Sequence, residues 1–420
     1  MKKQDSLFPK DFLWGASTAS HQVEGGTYNQ WSVWELAHAK EFAKGAHSRL
    51  SWVPAWGGVK TDAQKPENYV SGRGVDHYKR YKEDFDILQQ LNMNAFRFGI
   101  EWSRIQPTAE GWDLAEIEHY KAYIKELRAR NIEPVLNLWH WTVPVWFDEL
   151  GGFEKSKNLQ YWEQFVQKVA DELCLDVRYV LTVNEPNVFA SFGYLTGEWP
   201  PQKKSLIAFA KVYWNLTRAH RIAYRVMKRK KRSIQIGVAT QLGNIQAKRP
   251  RNMVDVTVSR AMRYVWNWWF MARIRKYQDF VGFNYYFTDY YKGFSRQNPK
   301  APLNDLGWYM EPEGLYPLLI RAWAHFKKPI IITENGLADA RDEYRRWWLE
   351  ETIVAMERAL SEGVQIKGYL HWSLLDNFEW KYGWWPKFGL VAVDREHGMK
   401  RTIRPSAKWF AEKIAKLKEQ

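Results

Sequence analysis

Cysteine is nearly absent from this chain of 420 residues, where Cys174 stands alone. One thiol excludes an intrachain disulfide and a cysteine-built metal cluster. No apolar run reaches the roughly 18 residues that a membrane-spanning helix needs. The opening Met1-Lys2-Lys3-Gln4-Asp5 lacks the apolar core of a signal peptide. The expectation is a cytoplasmic protein with no membrane partner. No GxGxxG or GxxxxGKS/T phosphate cradle is present, and no HExxH or paired His/Asp spacing. No cofactor and no metal are therefore expected. Gly/Ser linkers, low-complexity tracts and repeated units are also missing, which leaves residues 1–420 as a single domain.

What is present is charge of one sign and a great deal of tryptophan. Lys and Arg number 62 against 47 Asp and Glu, a net charge of +15. That excess raises nucleic-acid binding as a possibility, but the cations are dispersed and no nucleic-acid partner is expected. The densest run, Arg225 to Arg232, closes a helical pattern, where cations suit the helix dipole and stay solvated. The 25 Trp are more telling. Indole faces pack against the apolar C–H faces of sugars, although most must be core.

Eight short apolar runs read as strands: Phe12–Ser17, Ala95–Ile100, Glu133–His140, Tyr179–Glu185, Gln235–Thr240, Phe280–Tyr286, Pro329–Glu334 and Ile366–Leu375. Helical spacing of apolar residues appears over Tyr78–Leu91, Ala115–Arg130, Leu159–Leu173, Leu206–Lys228 and Tyr344–Glu362. Alternation of strand and helix implies a parallel sheet, and eight repeats imply a closed (β/α)8 TIM barrel of the α/β class. The segment from about Phe42 to Gly74, rich in Gly, Pro and Trp, reads as a long loop over the barrel mouth.

Two stretches share one design. Pro329-Ile330-Ile331-Ile332-Thr333-Glu334-Asn335-Gly336 and Tyr179-Val180-Leu181-Thr182-Val183-Asn184-Glu185-Pro186 each end an apolar strand in a carboxylate. Strand C-terminal ends are where a parallel barrel builds its site. Amides, imidazoles and indoles gather at the other strand ends: His21-Gln22, Trp139-His140-Trp141, Asn284-Tyr285-Tyr286, Trp372 and Glu379-Trp380. Two carboxyl groups across one barrel mouth suit cleavage of a glycosidic bond, one as acid and the other as nucleophile or base.

With those residues in place the chain resembles family 1 glycoside hydrolases, retaining β-glycosidases on a (β/α)8 barrel. The resemblance rests on Thr182-Val183-Asn184-Glu185-Pro186 and Ile332-Thr333-Glu334-Asn335-Gly336. Phe12–Ser17, His21–Gly25, Phe96–Arg104, Gly282–Tyr286 and Trp372–Trp380 support it. It implies Glu185 as acid/base and Glu334 as nucleophile. It implies that Gln22, His140, Asn184, Glu379 and Trp380 hold the sugar, with the Trp372 indole beneath it. Arg97, Asn284 and Tyr286 would surround the carboxylates. Arg97 and Tyr286 beside Glu334 should lower its pKa, while burial and a neighbouring charge should raise that of Glu185. The carboxyl groups of a retaining pair are ~5–5.5 Å apart.

The implied substrates are β-D-glucosides or short oligosaccharides, with β-galactosides or β-fucosides also accepted. A carboxylate at Glu379 repels a 6-phosphate, which argues against a 6-phospho-β-glycosidase, although Lys381 and Lys387 keep that option open. A catalytically silent sugar-binding barrel is the other alternative. Gly99, Val183 and Trp139 depart from the usual family pattern without removing a reacting group. The stretch Leu242–Phe280 is short, and Met271-Ala272-Arg273 replaces an expected acidic residue and Pro, which should open the leaving-group side.

Overall fold

The computed structural model describes residues 6–419, so the reading of Met1–Asp5 lies outside the described residues. Eight parallel strands close into a barrel: β1 (Leu13–Ser17), β2 (Ala95–Gly99), β3 (Glu133–Asn137), β4 (Tyr179–Asn184), β5 (Gln235–Gln241), β6 (Val281–Tyr285), β7 (Ile330–Asn335) and β8 (Ile366–Trp372). Each overlaps a run read from the sequence. The principal helices after them are α1 (His77–Gln90), α2 (Leu114–Ala129), α3 (Leu159–Glu172), α4 (Leu206–Lys230), α5 (Met253–Arg263), α6 (Leu315–Phe326), α7 (Arg345–Ser361) and α8 (Pro405–Glu419). Every strand is buried on both faces, which is why its sequence is a continuous apolar run instead of an alternation.

The lower barrel is filled by one cluster drawn from all eight strand segments: Leu13, Ala95, Val135, Tyr179, Leu181, Ala239, Phe280, Ile331 and Leu370. These side chains pack the interior as a solid core, leaving only the upper end for chemistry. Outward-facing residues such as Val180, Phe283, Ile330 and Ile332 join the larger core under the helices. Gly336 closes the top of β7. A Cβ there would lie 2.0 Å from the Trp372 carbonyl oxygen, so no other residue lets β7 and β8 approach.

The Phe42–Gly74 segment is not the loop expected. Phe42 ends inside a helix, Gln30–Lys44, and two further α-helices (Ala46–Leu50, Trp56–Ala63) and a 3-10 turn (Pro66–Tyr69) follow. Short helices tolerate the Gly and Pro that read as irregular: Pro66 opens its turn at N1, where its missing N–H costs nothing. The placement over the mouth holds, because Trp52 from this segment lines the cavity described below. Among the described residues no helix is long and apolar enough to cross a membrane.

Candidate active site

Both carboxylate strands break their own alternation. Ile331 points into the barrel, so strict period-two spacing would send Glu334 outward with Ile330 and Ile332. The β7–β6 register shifts between Ile332 and Glu334, and that irregularity turns Glu334 inward. On β4, Leu181 points inward and Thr182 outward, its hydroxyl bonded to His220 of α4. A register shift against β5 between Leu181 and Asn184 then brings Asn184 inward. Extra residues of this kind re-aim side chains at barrel rims. Glu185 follows with φ 42°, a left-handed conformation rare outside glycine and stored where a site over-determines it.

The two glutamates have different neighbours. The buried Arg97 guanidinium donates from Nη1 to Glu334 Oε1, and the Tyr286 hydroxyl donates to Glu334 Oε2 at 2.6 Å. Among the described residues Glu185 has no ion-pair partner; its Oε1 accepts from Asn284 Nδ2 at 2.8 Å. Arg97 Nη2 donates to Asn184 Oδ1 at 2.6 Å, and Asn184 Nδ2 reaches His140 Nε2 at 3.0 Å. One continuous network therefore runs from His140 through Asn184 and Arg97 to Glu334.

Burial raises the pKa of both glutamates above the ordinary carboxylate range. Glu185 is held well above it by burial first and by the charge of Glu334 second. Glu334 is also raised by burial, with Arg97 and Tyr286 pulling it back. The net lowering expected from the sequence does not occur, because desolvation of a group this deep exceeds what one arginine and one phenol return. Glu185 is displaced further than Glu334, because among the described residues only Glu334 has a cation and a phenol in contact to offset its burial. Burial keeps His140 neutral, and Tyr286 stays protonated as a donor.

A cavity of about 580 Å³ opens at this rim, lined by Gln22, His140, Glu185, Tyr286, Glu334, Trp372, Glu379 and Trp380. Trp372 and Trp380 both stack on His140, with centroids 5.8 and 6.0 Å away. In the same lining Gln22 Nε2 donates to the Phe378 carbonyl at 2.7 Å, and its Oε1 is buried without a partner. Asn377 Nδ2 donates to Glu379 Oε2 at 3.0 Å. Burial pushes Glu379 up to about 8. Unpartnered acceptors beside indole faces are what a polyhydroxylated ring needs: hydroxyl partners at its edge and apolar contact on its face.

Not every expected residue reaches the cavity. Arg97, Asn184 and Asn284 lie fully buried behind it, and Asn184 has both polar atoms engaged by the protein. Tyr286, expected behind the carboxylates, lines the cavity itself. Lys381 lines it too, but its ammonium is paired with Glu198, and Lys387 is absent from the lining. Neither forms a free phosphate clamp.

Trp199 and Gln241 line the cavity without having been singled out in the sequence, whereas Trp141 belongs to the Trp139-His140-Trp141 run read there. Trp141 and Trp199 pack on Trp380, with centroids 4.8 and 6.1 Å away. Gln241 ends β5, accepts from the Trp266 indole, and keeps Nε2 buried without a partner. Its place at a strand end was the available signal. Asp376 is clamped by Arg404 at 3.0 Å and accepts from the Gly389 amide, fixing the turn that presents Glu379.

An ion-paired carboxylate beside a second carboxyl group whose pKa burial raises, in an indole-lined cavity, supplies the groups that glycoside hydrolysis uses. Sequence comparison places the chain more narrowly. The model of glycosyl hydrolase family 1 matches residues 4–275 and 271–419. The chain belongs to that family. It is 29% identical to β-glucosidase A of Acetivibrio thermocellus, over 97% of this chain and 98% of that protein. It is 31% identical to the chloroplastic galactolipid galactosyltransferase SFR2 of Arabidopsis thaliana, over 90% of this chain and 64% of that one. Among solved structures, a β-glycosidase from Pyrococcus horikoshii aligns with a TM-score of 0.85 at 31% identity, covering 98% of this chain and 96% of that one. A Thermotoga maritima β-glucosidase in complex with glucoimidazole aligns with a TM-score of 0.85 at 27% identity, covering 98% and 99%.

Proposed function

We propose that this protein is a retaining exo-β-glycosidase that hydrolyses β-D-glucosides and short β-linked oligosaccharides. Glu334 is the nucleophile and Glu185 the acid/base. The observation that carries the reading is the asymmetry of the pair. Arg97 and Tyr286 hold Glu334 as the first to ionise, while Glu185 keeps its proton beside it.

Glu185 protonates the departing oxygen as Glu334 attacks the anomeric carbon, and a covalent glycosyl-enzyme forms. Esterification removes the charge of Glu334, the second cause of the raised pKa of Glu185. Glu185, ionised by the proton transfer to the departing oxygen, is no longer opposed by a neighbouring charge; it takes a proton from water, and the water displaces Glu334 with net retention. Tyr286, released from a charged partner, stays protonated through the cycle.

Glu379, Gln22 and His140 hold the sugar hydroxyls, and Trp372 and Trp380 lie against the ring. Neither Lys381, paired with Glu198, nor Lys387, outside the cavity lining, is free for a 6-phosphate, which favours a neutral sugar. The β-glucosidase names of similar proteins support a glucoside. A cytoplasmic location goes with this reading, supported by a lone buried thiol. Turnover of a panel of aryl β-glycosides and cello-oligosaccharides tests it; equal failure of all of them refutes it.

A further inference from the structure

The wall of the cavity mouth supplied by the loops after β5 and β6 has a composition that sugar cleavage does not need. A strand, Asn244–Ala247, pairs with Thr288–Lys292, which turns back as a hairpin through Gly293 and Phe294 into Ser295–Arg296. The hairpin tip is pinned to the start of α5: the Gly293 amide donates to Asp255 Oδ1 at 2.8 Å. Asp255 directly follows Met253 and Val254. The tip and the first turn of α5 therefore form one protrusion. It carries Phe294 at 86% exposure, Met253 at 74% and Val254 at 59%. Trp52, from the segment after β1, lines the same cavity mouth and is 63% exposed.

The charge around these apolar residues has one sign. Residues 248–254 and 292–300 contain Lys248, Arg249, Arg251, Lys292, Arg296 and Lys300 and no carboxylate. The two nearest acids, Asp255 and Asp289, are buried and face Arg249 and Arg296 at 2.9 and 3.8 Å. Among the described residues Lys248, Arg251, Lys292 and Lys300 have no ion-pair partner. Arg296 and Pro299 themselves line the cavity, so the protrusion continues the mouth.

Isolated exposed apolar residues need no explanation. Here Phe, Met and Val share one tip that is tied to Asp255 through the Gly293 amide, flanked in sequence by cations without ion-pair partners among the described residues, and continuous with the cavity mouth through Arg296 and Pro299. That combination matches the boundary of an anionic bilayer, where apolar side chains enter the acyl region and Lys and Arg meet phosphates. We propose that this rim docks on an anionic lipid surface with the cavity mouth facing the headgroups. The expectation of no membrane partner rested on the absence of a spanning run. A protein that lies on a membrane needs none.

Vesicle co-sedimentation tests the proposal, using phosphatidylcholine alone and phosphatidylcholine mixed with phosphatidylglycerol. The full chain should bind only the mixed vesicles, and less as salt rises. The double variant Phe294→Ser/Met253→Ser should partition at least about tenfold more weakly. It should still turn over a soluble aryl β-glucoside normally, which shows that it is folded and separates this test from the proposed activity. A second readout labels Phe294→Cys with an environment-sensitive dye, since Cys174 is buried; its emission should shift to the blue on mixed vesicles. No binding at low salt, binding unaltered in the double variant, or a dye that does not shift would each overturn the proposal. Retention on a DNA duplex that matches vesicle binding and is indifferent to Phe294 would overturn it as well.

Discussion

Asn284 donates its amide N–H to Glu185 Oε1 across 2.8 Å, so β6 steadies the carboxyl group that β4 delivers. The Asn284 oxygen accepts in turn from Thr333 Oγ1 at 2.6 Å, on the strand that carries Glu334. This amide ties the two carboxylate strands together. Its removal should do more than cut one hydrogen bond. Asn284→Ala should lower kcat/KM by about ten- to a hundredfold, the range for a buried bond to an ionisable group, with the alkaline limb of the pH profile displaced. An unchanged profile would deny Asn284 a hold on Glu185.

Arg97 should be the most costly single side chain to lose. It is buried, and its guanidinium joins Glu334 to Asn184. Arg97→Ala leaves a buried carboxylate unpaired, so stability should fall by about 3–5 kcal/mol. Arg97→Lys keeps the charge but not the fork, and should retain more stability than activity. Denaturant unfolding beside aryl-glucoside turnover would show the split; equal loss of both in Arg97→Lys would contradict it.

The pH dependence of activity has a definite sign. Glu185 acts in its protonated form and is held well above the ordinary range. Activity should therefore persist through neutrality and fall as pH rises through the folded pKa of Glu185. Glu185→Gln should abolish that limb. It should slow substrates with poor leaving groups by about 10²–10⁴, and activated aryl glucosides less. Persistence of the limb in the variant would assign it to another group.

Stability should respond to pH through Glu379 with the opposite sign to most acids. Burial pushes this carboxyl up to about 8 in the fold. Between the ordinary value near 4.5 and about 8 the folded chain binds the extra proton, so this contribution is lost as pH rises through that window. Glu379→Gln should flatten the decline in melting temperature between those values. The same variant should bind glucosides about tenfold more weakly, having lost a carboxyl group that can both donate to and accept from sugar hydroxyls. Faster turnover of p-nitrophenyl β-glucoside 6-phosphate than of the unphosphorylated compound by the parent chain would reverse the assignment of a neutral sugar.

The barrel was legible because each strand is a short apolar run ending in a polar or aromatic side chain; β7, three isoleucines closing on Glu334, is the plainest. The two glutamates were legible for the same reason. Their inward aim was not, because it depends on register shifts at Ile332–Glu334 and Leu181–Asn184 that pairing partners create and no local pattern records. Helix α6 was missed since Pro317 interrupts its first turn, although a proline there costs no hydrogen bond. The pKa of Glu334 was misjudged for want of its depth: sequence names Arg97 as a neighbour but cannot weigh that charge against full burial. Gln241 and Trp266 come together only through the fold of the segment after β5.

The most direct test is the anomer released first. Proton NMR during early hydrolysis of a β-glucoside should show β-glucose appearing before mutarotation supplies the α form, as attack by Glu334 followed by water requires. Initial release of α-glucose would mean a single displacement by water, and would contradict the assignment of Glu334 as nucleophile.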